Sequence, residues 1–317
     1  MFVEQRNSPQ LNDLYIGLIP VYSNQNGVFV FSSLDEIEMQ QPMLFKPNLN
    51  LFVSGKNSVV PRNEFDKNLE ELTTGAFKGL KWNNIFLAGG AVLGALSHSK
   101  EGFEGSDLDL FIYGLDQEDA DQKIYEIIRV VEKNVLSSSS DLTINKPLIV
   151  HNTNSITIIR GFPHRNIQIV LRLYKSPAEV LLGFDVDSCC VGYDGKDAWS
   201  TPRSQRAINK RYNLINTTRR STTYEYRLWK YSKRGFGVCI PSFDGSKLDV
   251  NKILSKSDAS GLAKLILYQC QALGSVFKGT NRVFNKKEIN TTKEDGNKQF
   301  YNIIEAKKSD YSTFAIP

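Results

Sequence analysis

The sequence predicts an α/β (α+β) fold, in which a mixed β-sheet core has a β-rich extension before it and a helical region after it. Three observations support this prediction. Short apolar runs without helical period fill residues 1–65, helix and strand patterns alternate over residues 66–200, and a basic, mostly helical region covers residues 201–284. A polar, lysine-rich tail forms residues 285–317. With 317 residues and a hydrophobic fraction of 41%, the chain can bury a sizeable core.

The N-terminal extension is predicted to consist of strands and turns, because Asn, Gly and Pro separate its apolar runs. These runs are DLYIGLIPVY, GVFVFSS and NLNLFVSG. None of them carries residues that indicate a particular chemistry.

The central region is predicted to alternate between helices and short strands. The predicted helices are NEFDKNLEELTTGAFKGL, AVLGALSH, DQEDADQKIYEIIRVVEKN and SPAEVLLG, and the predicted strands are NNIFLAGG, SDLDLFIY, SITIIRGF, NIQIVLRLY and FDVDSCCVGYDGKDAW. Asp116 can cap the third helix, whereas Ser176, Pro177 and Glu179 form a capping box for the fourth, with Gly183 as its stop. This order places the strand SDLDLFIY between two helices.

Two adjacent glycines, Gly89 and Gly90, follow a predicted strand and open a helix. Backbone N–H groups at such a position can face a phosphate, because no side chain stands in the way. The segment lacks the GKS or GKT of a P-loop, and GGAVLG does not satisfy GxGxxG. A glycine pair alone is usually a tight turn, so its meaning depends on the neighbouring segments of the chain.

Two aspartates, Asp107 and Asp109, share one face of the strand SDLDLFIY, while its leucines occupy the other face. Their backbone positions are roughly 7 Å apart, so both carboxylates can reach a common ion. Two like charges so placed repel each other unless a cation neutralises them, and Mg²⁺ or Mn²⁺ suits carboxylate and phosphate oxygens. An isolated Asp-x-Asp is usually a solvated face, but the succession of glycine turn, helix and Asp-x-Asp strand indicates a site.

The segments LAGGAVLGAL and SDLDLFIYG together resemble the signature of the polymerase-β-type nucleotidyltransferase superfamily. A longer stretch, roughly residues 80–240, is similar to members found in large DNA viruses and fungi, some of which are joined to ankyrin repeats. The resemblance implies a mixed-sheet nucleotidyltransferase core that binds Mg²⁺ and a nucleoside triphosphate such as ATP. It implies that Asp107 and Asp109 are catalytic metal ligands, and that Gly89 and Gly90 contact the nucleotide phosphates. We place Ser106, which precedes the aspartates, among the nucleotide contacts.

Members of this superfamily usually carry a third carboxylate on a neighbouring strand. The polar position of NIQIVLRLY that would serve is Gln168, whose amide can neither act as a general base nor supply charge. In FDVDSCC, Asp185 and Asp187 have strand spacing, and Asp187 is the more strand-like candidate for the third catalytic residue. The alternative is that these aspartates cap or hydrogen-bond a loop.

Positive charge is concentrated between Arg203 and Arg234, where ten Lys or Arg residues stand against one acid, Glu225. This imbalance favours an anionic partner, either the triphosphate or an RNA acceptor. The segment TTYEYRLWKYSKRGF is predicted to be a helix opened by a Thr222–Glu225 capping box, with Arg227 and Lys230 as nucleotide contacts. The alternative is that these charges meet only solvent and neighbouring carboxylates.

Cysteine usage and hydropathy point to an intracellular, cytoplasmic protein. The four cysteines form no CxxC and the three histidines are scattered, which argues against a zinc site and favours reduced thiols. The polar N-terminus is unlike a secretory signal, and because there is no apolar run of 18 residues we expect no membrane association.

The sequence therefore predicts a metal-dependent nucleotidyltransferase that moves a nucleoside monophosphate from an NTP to an acceptor hydroxyl, on RNA or another acceptor, and releases pyrophosphate. Two alternatives stay open. A catalytically inactive module could bind nucleic acid or a protein partner through the basic half, and Gln168 favours this alternative. An unrelated Mg²⁺ phosphohydrolase would use the aspartates but release free phosphate.

Overall fold

The structure is a computed structural model that describes residues 13–22, 29–32, 43–48, 57–137, 147–161, 163–244, 247, 249 and 260–273. The predicted polar tail lies outside these residues, as do parts of the predicted strands GVFVFSS and NLNLFVSG.

The described residues contain seven α-helices and two single 3₁₀ turns. The helices are α1 (Arg62–Thr73), α2 (Gly90–Leu96), α3 (Gln117–Ser137), α4 (Pro177–Leu182), α5 (Pro202–Lys210), α6 (Tyr224–Ser232) and α7 (Ala263–Leu273). The 3₁₀ turns are Asp187–Cys189 and Thr217–Arg219.

The strands of the described residues form one large mixed sheet and one small sheet. They are β1 (Ile19–Pro20), β2 (Met43–Phe45), β3 (Ile85–Ala88), β4 (Leu108–Tyr113), β5 (Leu148–His151), β6 (Ser155–Ile159), β7 (Ile167–Tyr174), β8 (Val191–Tyr193), β9 (Ala198–Ser200), β10 (Tyr212–Leu214) and β11 (Gly237–Cys239). The large sheet has the order β1-β9-β8-β3-β4-β7-β6-β5, and the small sheet has the order β10-β11-β2. In the large sheet β4 and β7 are parallel, whereas β4 and β3 are antiparallel. The mixed α/β fold class predicted from the sequence is confirmed.

The alternation of side chains along β4 sets the two faces of the large sheet. Leu108, Leu110 and Ile112 are buried in the main hydrophobic cluster, together with Leu87 of the neighbouring strand. Phe111 belongs to a second, smaller cluster on the opposite face. The aspartates share the face of Phe111, as strand periodicity requires.

Local signals for helix ends are confirmed at two places and wrong at a third. The Asp116 side chain accepts a hydrogen bond from the Asp119 N–H at 3.0 Å, and Ser176 caps α4, which ends at Gly183. The predicted Thr222–Glu225 capping box does not form, because α6 begins at Tyr224 with no side-chain cap. The Glu225 carboxylate instead accepts a hydrogen bond from Arg220 at 2.5 Å.

Two parts of the chain differ from their predicted secondary structure. The region after residue 201 is not wholly helical, since β10 and β11 form the small sheet with β2. The predicted strand FDVDSCCVGYDGKDAW contains the 3₁₀ turn Asp187–Cys189 before β8. Of the helices in the described residues, none is both long and apolar enough to span a bilayer.

Candidate active site

The glycine pair forms a sharp turn between β3 and α2. Gly89 has φ 92° and ψ −141°, a combination that only glycine adopts without strain, and its N–H donates to the Val191 carbonyl at 2.9 Å. A Cβ placed on Gly89 would lie 3.8 Å from Oδ2 of Asp109. The backbone turn and the carboxylate are therefore close neighbours.

The two aspartates lie on the central part of the large sheet. Asp109 pairs in register with Ala88 of β3 on one side and with Gln168 of β7 on the other, while Asp107 directly precedes β4. Because residues in register on neighbouring strands share a face, Asp109 and Gln168 point to the same side. Both aspartates and Gln168 line one cleft.

This cleft has a volume of about 640 Å³ and lies between the sheet and the helices α6 and α7. It is lined by Gly89, Gly90, Ser106, Asp107, Asp109, Phe111, Gln168, Val170, Phe184, Cys189, Thr222, Thr223, Glu225, Tyr226, Arg227, Lys230, Tyr231, Lys264 and Tyr268. The structure thus brings together seven of the eight site residues named from the sequence, and Asp187 is the exception.

Two of the cleft's carboxylates, Asp107 and Asp109, have no cationic partner at contact distance among the described residues, whereas Glu225 is paired with Arg220. Neither Asp107 nor Asp109 forms an ion pair with any residue in the part of the chain that the structure describes. Burial and the adjacent Asp107 raise the pKa of Asp109 to about 7, although Lys230 and Arg227 act in the opposite direction. The site therefore favours either a proton or a cation at this pair.

The donor set fits a divalent ion that shares its ligands with a bound phosphate. Within the described residues, no group of three or more His, Cys, Asp or Glu side chains is arranged to hold a metal by itself. Two carboxylates supply only part of an octahedral shell, and Mg²⁺ is commonly bound by one or two carboxylates, water and substrate phosphates. The residues present suit such a site and not a closed, all-protein one.

The expectation that Asp187 completes the site is not met. Its carboxylate, 8% exposed as a side chain, forms ion pairs with Arg203 at 3.0 Å and with Arg206 at 2.5 Å. Neither Asp187 nor Asp185 is among the described residues that line the cleft. The 3₁₀ turn removes Asp187 from the strand geometry that its spacing suggested, and Gln168 keeps the position beside Asp109.

Much of the positive charge between residues 203 and 234 is used inside the protein. Arg203 and Arg206 bind Asp187, Arg220 binds Glu225, and Arg227 binds Asp185 at 2.5 Å. Four of these cations thus have a carboxylate partner within the protein, and one of the four, Arg227, also lines the cleft. Lys230 differs, because it forms no ion pair with a described residue. Burial and Arg234 lower the pKa of Lys230 overall, although the charges of Asp109 and Asp107 act to raise that pKa.

Several residues near the cleft were not identified from the sequence as site residues. Arg234 is 2% exposed, and its side chain bonds to the loop that precedes Asp107. Across the cleft, Trp229 stacks on Tyr268 with ring centroids 5.1 Å apart, and Tyr226 packs beside them with half of its surface exposed. Only the chain fold brings Tyr268 of α7 to the two rings of α6, so no local pattern could have indicated that these three side chains pack together.

The fold and the cleft define a mixed α/β protein, in which a glycine turn follows one strand and two carboxylates, just before and within the next strand, form no ion pair with a described residue. Residues 62–211 match the family described as Gad2, Gabija anti-defense 2 family protein. An uncharacterized protein, R883, of Acanthamoeba polyphaga mimivirus is 38% identical over 176 residues, which cover 53% of this chain and 38% of that protein. The chain therefore spans well under half the length of this curated relative. A relative in a large DNA virus agrees with the viral occurrence that the sequence resemblance suggested.

Proposed function

We propose that the protein is a metal-dependent nucleotidyltransferase, which transfers a nucleoside monophosphate from an NTP to an acceptor hydroxyl. One observation carries this proposal: Asp107 and Asp109 line a cleft of about 640 Å³ without an ion-pair partner among the described residues, and the glycine turn and Lys230 line the same cleft. Carboxylates on this floor can hold a cation, and backbone amides with a lysine can hold phosphates. A cleft that offers carboxylates for a cation, and amides and a lysine for phosphates, is suited to a metal-bound polyphosphate.

The protein groups of the site have separable roles in the proposed reaction. The Gly89–Gly90 turn and Ser106 would contact the phosphates, and Lys230 would offset the negative charge that accumulates on the departing pyrophosphate. The acceptor oxygen forms a bond to the α-phosphorus as the bond to the bridging α–β oxygen breaks, and the hydroxyl proton is released to solvent. The sheet holds Asp109 and Gln168 in register, so the reacting groups are fixed before the substrate binds.

Asp107 and Asp109 would be the protein ligands of Mg²⁺ or Mn²⁺. When bound, such an ion lowers the pKa of the attacking hydroxyl and stabilises the leaving group. The raised pKa of Asp109 supports this role, because a carboxylate pair that resists full ionisation gains most from a divalent cation.

The comparisons suggest a biological setting for this chemistry. The matched family is described as an anti-defense family against Gabija, and the relative belongs to a virus. We therefore propose that the acceptor is a component, protein or nucleic acid, of an antiviral defence. In cells that carry a Gabija system, expression of the protein would then restore infection by a virus that the system blocks.

The proposed activity is tested by incubating the protein with each α-³²P-labelled NTP, Mg²⁺ or Mn²⁺, and extracts that contain RNA and protein. We expect label to move to an acceptor, and the Asp107→Asn/Asp109→Asn variant to lose at least about 1,000-fold of the rate. The control is Asp119→Asn/Asp121→Asn, which removes the same charge from exposed positions of α3 and should keep full activity.

The outcomes of this assay separate the proposed function from its alternatives. Transfer that persists in the Asp107→Asn/Asp109→Asn variant would exclude the assigned site. Release of labelled mononucleotide or of free phosphate without an acceptor would indicate a phosphohydrolase.

A second candidate is a catalytically inactive relative that binds nucleic acid or a protein partner. Gln168 favours it, because this amide occupies the position beside Asp109 and donates to the Ser155 hydroxyl at 3.1 Å. Such a module would bind RNA with a strong dependence on salt and would give no metal-dependent turnover.

A further inference from the structure

Arg234 is a buried arginine that joins the end of α6 to the loop before Asp107. Its Nε donates to the Gly102 carbonyl at 2.8 Å and its Nη2 donates to the Ser106 hydroxyl at 2.8 Å. The guanidinium also lies against Phe103 and Tyr231, at 4.4 and 4.8 Å from their ring centroids. Arg234 thus fixes Ser106 next to the carboxylate pair.

One nitrogen of the same guanidinium is buried, faces the glycine turn and lacks a partner in the part of the chain that the structure describes. Nη1 of Arg234 has no hydrogen-bond partner among the described residues, and it lies 3.1 Å from the position of a Cβ on Gly90. The Tyr231 hydroxyl and the Ser106 hydroxyl approach the same point to 3.2 and 3.3 Å. Three polar groups therefore converge behind the turn, and a buried donor without a partner calls for a functional explanation.

The charge of Arg234 is also uncompensated. It forms no ion pair with a carboxylate of the described residues, although a buried charge is costly unless it is paired. Arg165 donates to the Phe103 and Ser106 carbonyls at 2.6 and 2.7 Å, and it too forms no ion pair with a described residue. Arg234 repels both Arg165 and Lys230. Lys230 lines the cleft together with the glycine turn, Arg234 lies against Gly90, and Arg165 binds the loop that carries Ser106, so a polyanion bound at the turn would relieve their mutual repulsion.

Building on the proposed nucleotidyltransferase function, we propose that Arg234 is a positioning residue for the substrate's polyphosphate. It holds Ser106 at the glycine turn and places an unneutralised positive charge directly behind that turn. The residue acts through Ser106 and through its field, because the guanidinium itself is covered.

The test measures how the full chain binds inorganic tripolyphosphate with Mg²⁺ by calorimetry, since this group is common to all four NTPs. Arg234→Lys keeps the charge but loses the planar fork, so it should weaken binding about tenfold, and Arg234→Met should weaken it about 100-fold. The matched control is Arg160→Met. Arg160 also clamps backbone carbonyls and has a buried nitrogen without a partner, but it does not line the cleft. The affinity of the Arg160→Met variant for tripolyphosphate should stay within about twofold of that of the wild type.

A purely structural role for Arg234 predicts a different pattern. Both methionine variants would then lower the melting temperature, and binding would fall in proportion to the folded fraction in each. Equal affinity of wild type and Arg234→Lys, or equal losses in the Arg234 and Arg160 variants, would overturn the proposal.

Ser106→Ala keeps the proposal testable if Arg234→Met does not fold. We expect this variant to weaken tripolyphosphate binding about tenfold, as Arg234→Lys does, and to make a further Arg234→Lys change nearly silent, because the two residues act as one unit. Additive losses would contradict that coupling. Tripolyphosphate binding that depends on Arg234 without any nucleotide transfer would contradict the proposed function alone. Absence of binding in the wild type would overturn the positioning role itself.

Discussion

The chain contains two Asp-x-Asp segments with the same spacing and opposite surroundings. Asp107 and Asp109 lie at and within a strand, line the cleft and have no ion-pair partner among the described residues. Asp185 and Asp187 lie near a 3₁₀ turn, and each forms a contact of 2.5 Å with an arginine, Arg227 and Arg206 respectively. The sequence pattern is shared, but the first pair is left open to a ligand and the second is neutralised by the protein.

This difference shows that spacing alone does not indicate a metal site. A carboxylate that already has arginine partners has its charge satisfied, so a metal would have to displace those partners. A carboxylate pair that faces a cleft without such partners gains from any cation that enters. The pKa of Asp109, which is raised to about 7, is consistent with a first pair whose negative charge the protein does not neutralise.

The largest expected effect is a loss of folding stability when Asp187 of the second pair is removed. Asp187→Ala leaves Arg203 and Arg206 without their carboxylate, and breaking a buried ion pair in this way costs about 3–5 kcal/mol. Urea denaturation should show this loss in the free energy of unfolding. As a control, Asp197→Ala removes a surface partner of Arg62 and should cost less than about 1 kcal/mol. Equal effects of the two changes would refute the structural assignment of Asp187.

In contrast to Asp187→Ala, the change Asp109→Asn should increase the free energy of unfolding. The pKa of Asp109 is higher in the folded chain than its ordinary value of 3.8, so the folded state binds the proton more tightly, and stability falls as pH rises from about 4 to 7. An asparagine does not titrate. The variant should therefore match wild type near pH 4 and exceed its stability by about 4 kcal/mol above pH 7, in metal-free buffer.

Thermal unfolding at several pH values checks this prediction. With Mg²⁺ added, the wild type should regain part of the difference, and the variant should not respond. A wild type that is more stable than the variant at pH 8 without metal would show that the Asp109 carboxylate is already neutralised by the protein, as Asp187 is.

The parts of the fold that follow local rules were predictable from the sequence. The strand, glycine turn, helix and Asp-x-Asp strand of residues 85–113 follow from side-chain period and from the conformation that Gly89 requires. The ends of α4 follow from Ser176 and Gly183. Period also placed Gln168 correctly on the face of Asp109, because both strands keep a strict alternation there.

The site residues that could not be predicted depend on distant contacts. Asp187 binds arginines 16 and 19 positions away, and Arg234 reaches Ser106 across 128 positions. A helical pattern cannot indicate which arginine turns inward, because long side chains occupy both exposed and buried faces. The ten-to-one excess of cations therefore led to the prediction of a binding surface. In the structure, four of these cations form ion pairs with carboxylates of the protein itself.

The central claim is that the unpaired aspartates, and not the paired ones, receive a divalent cation. Titration of the full chain with Mn²⁺, in the presence of tripolyphosphate and followed by the electron paramagnetic resonance of the free ion, tests this claim directly. We predict a protein-dependent site that is lost in Asp107→Asn/Asp109→Asn and kept in Asp119→Asn/Asp121→Asn. Equal Mn²⁺ binding by both double variants and the wild type would contradict the account.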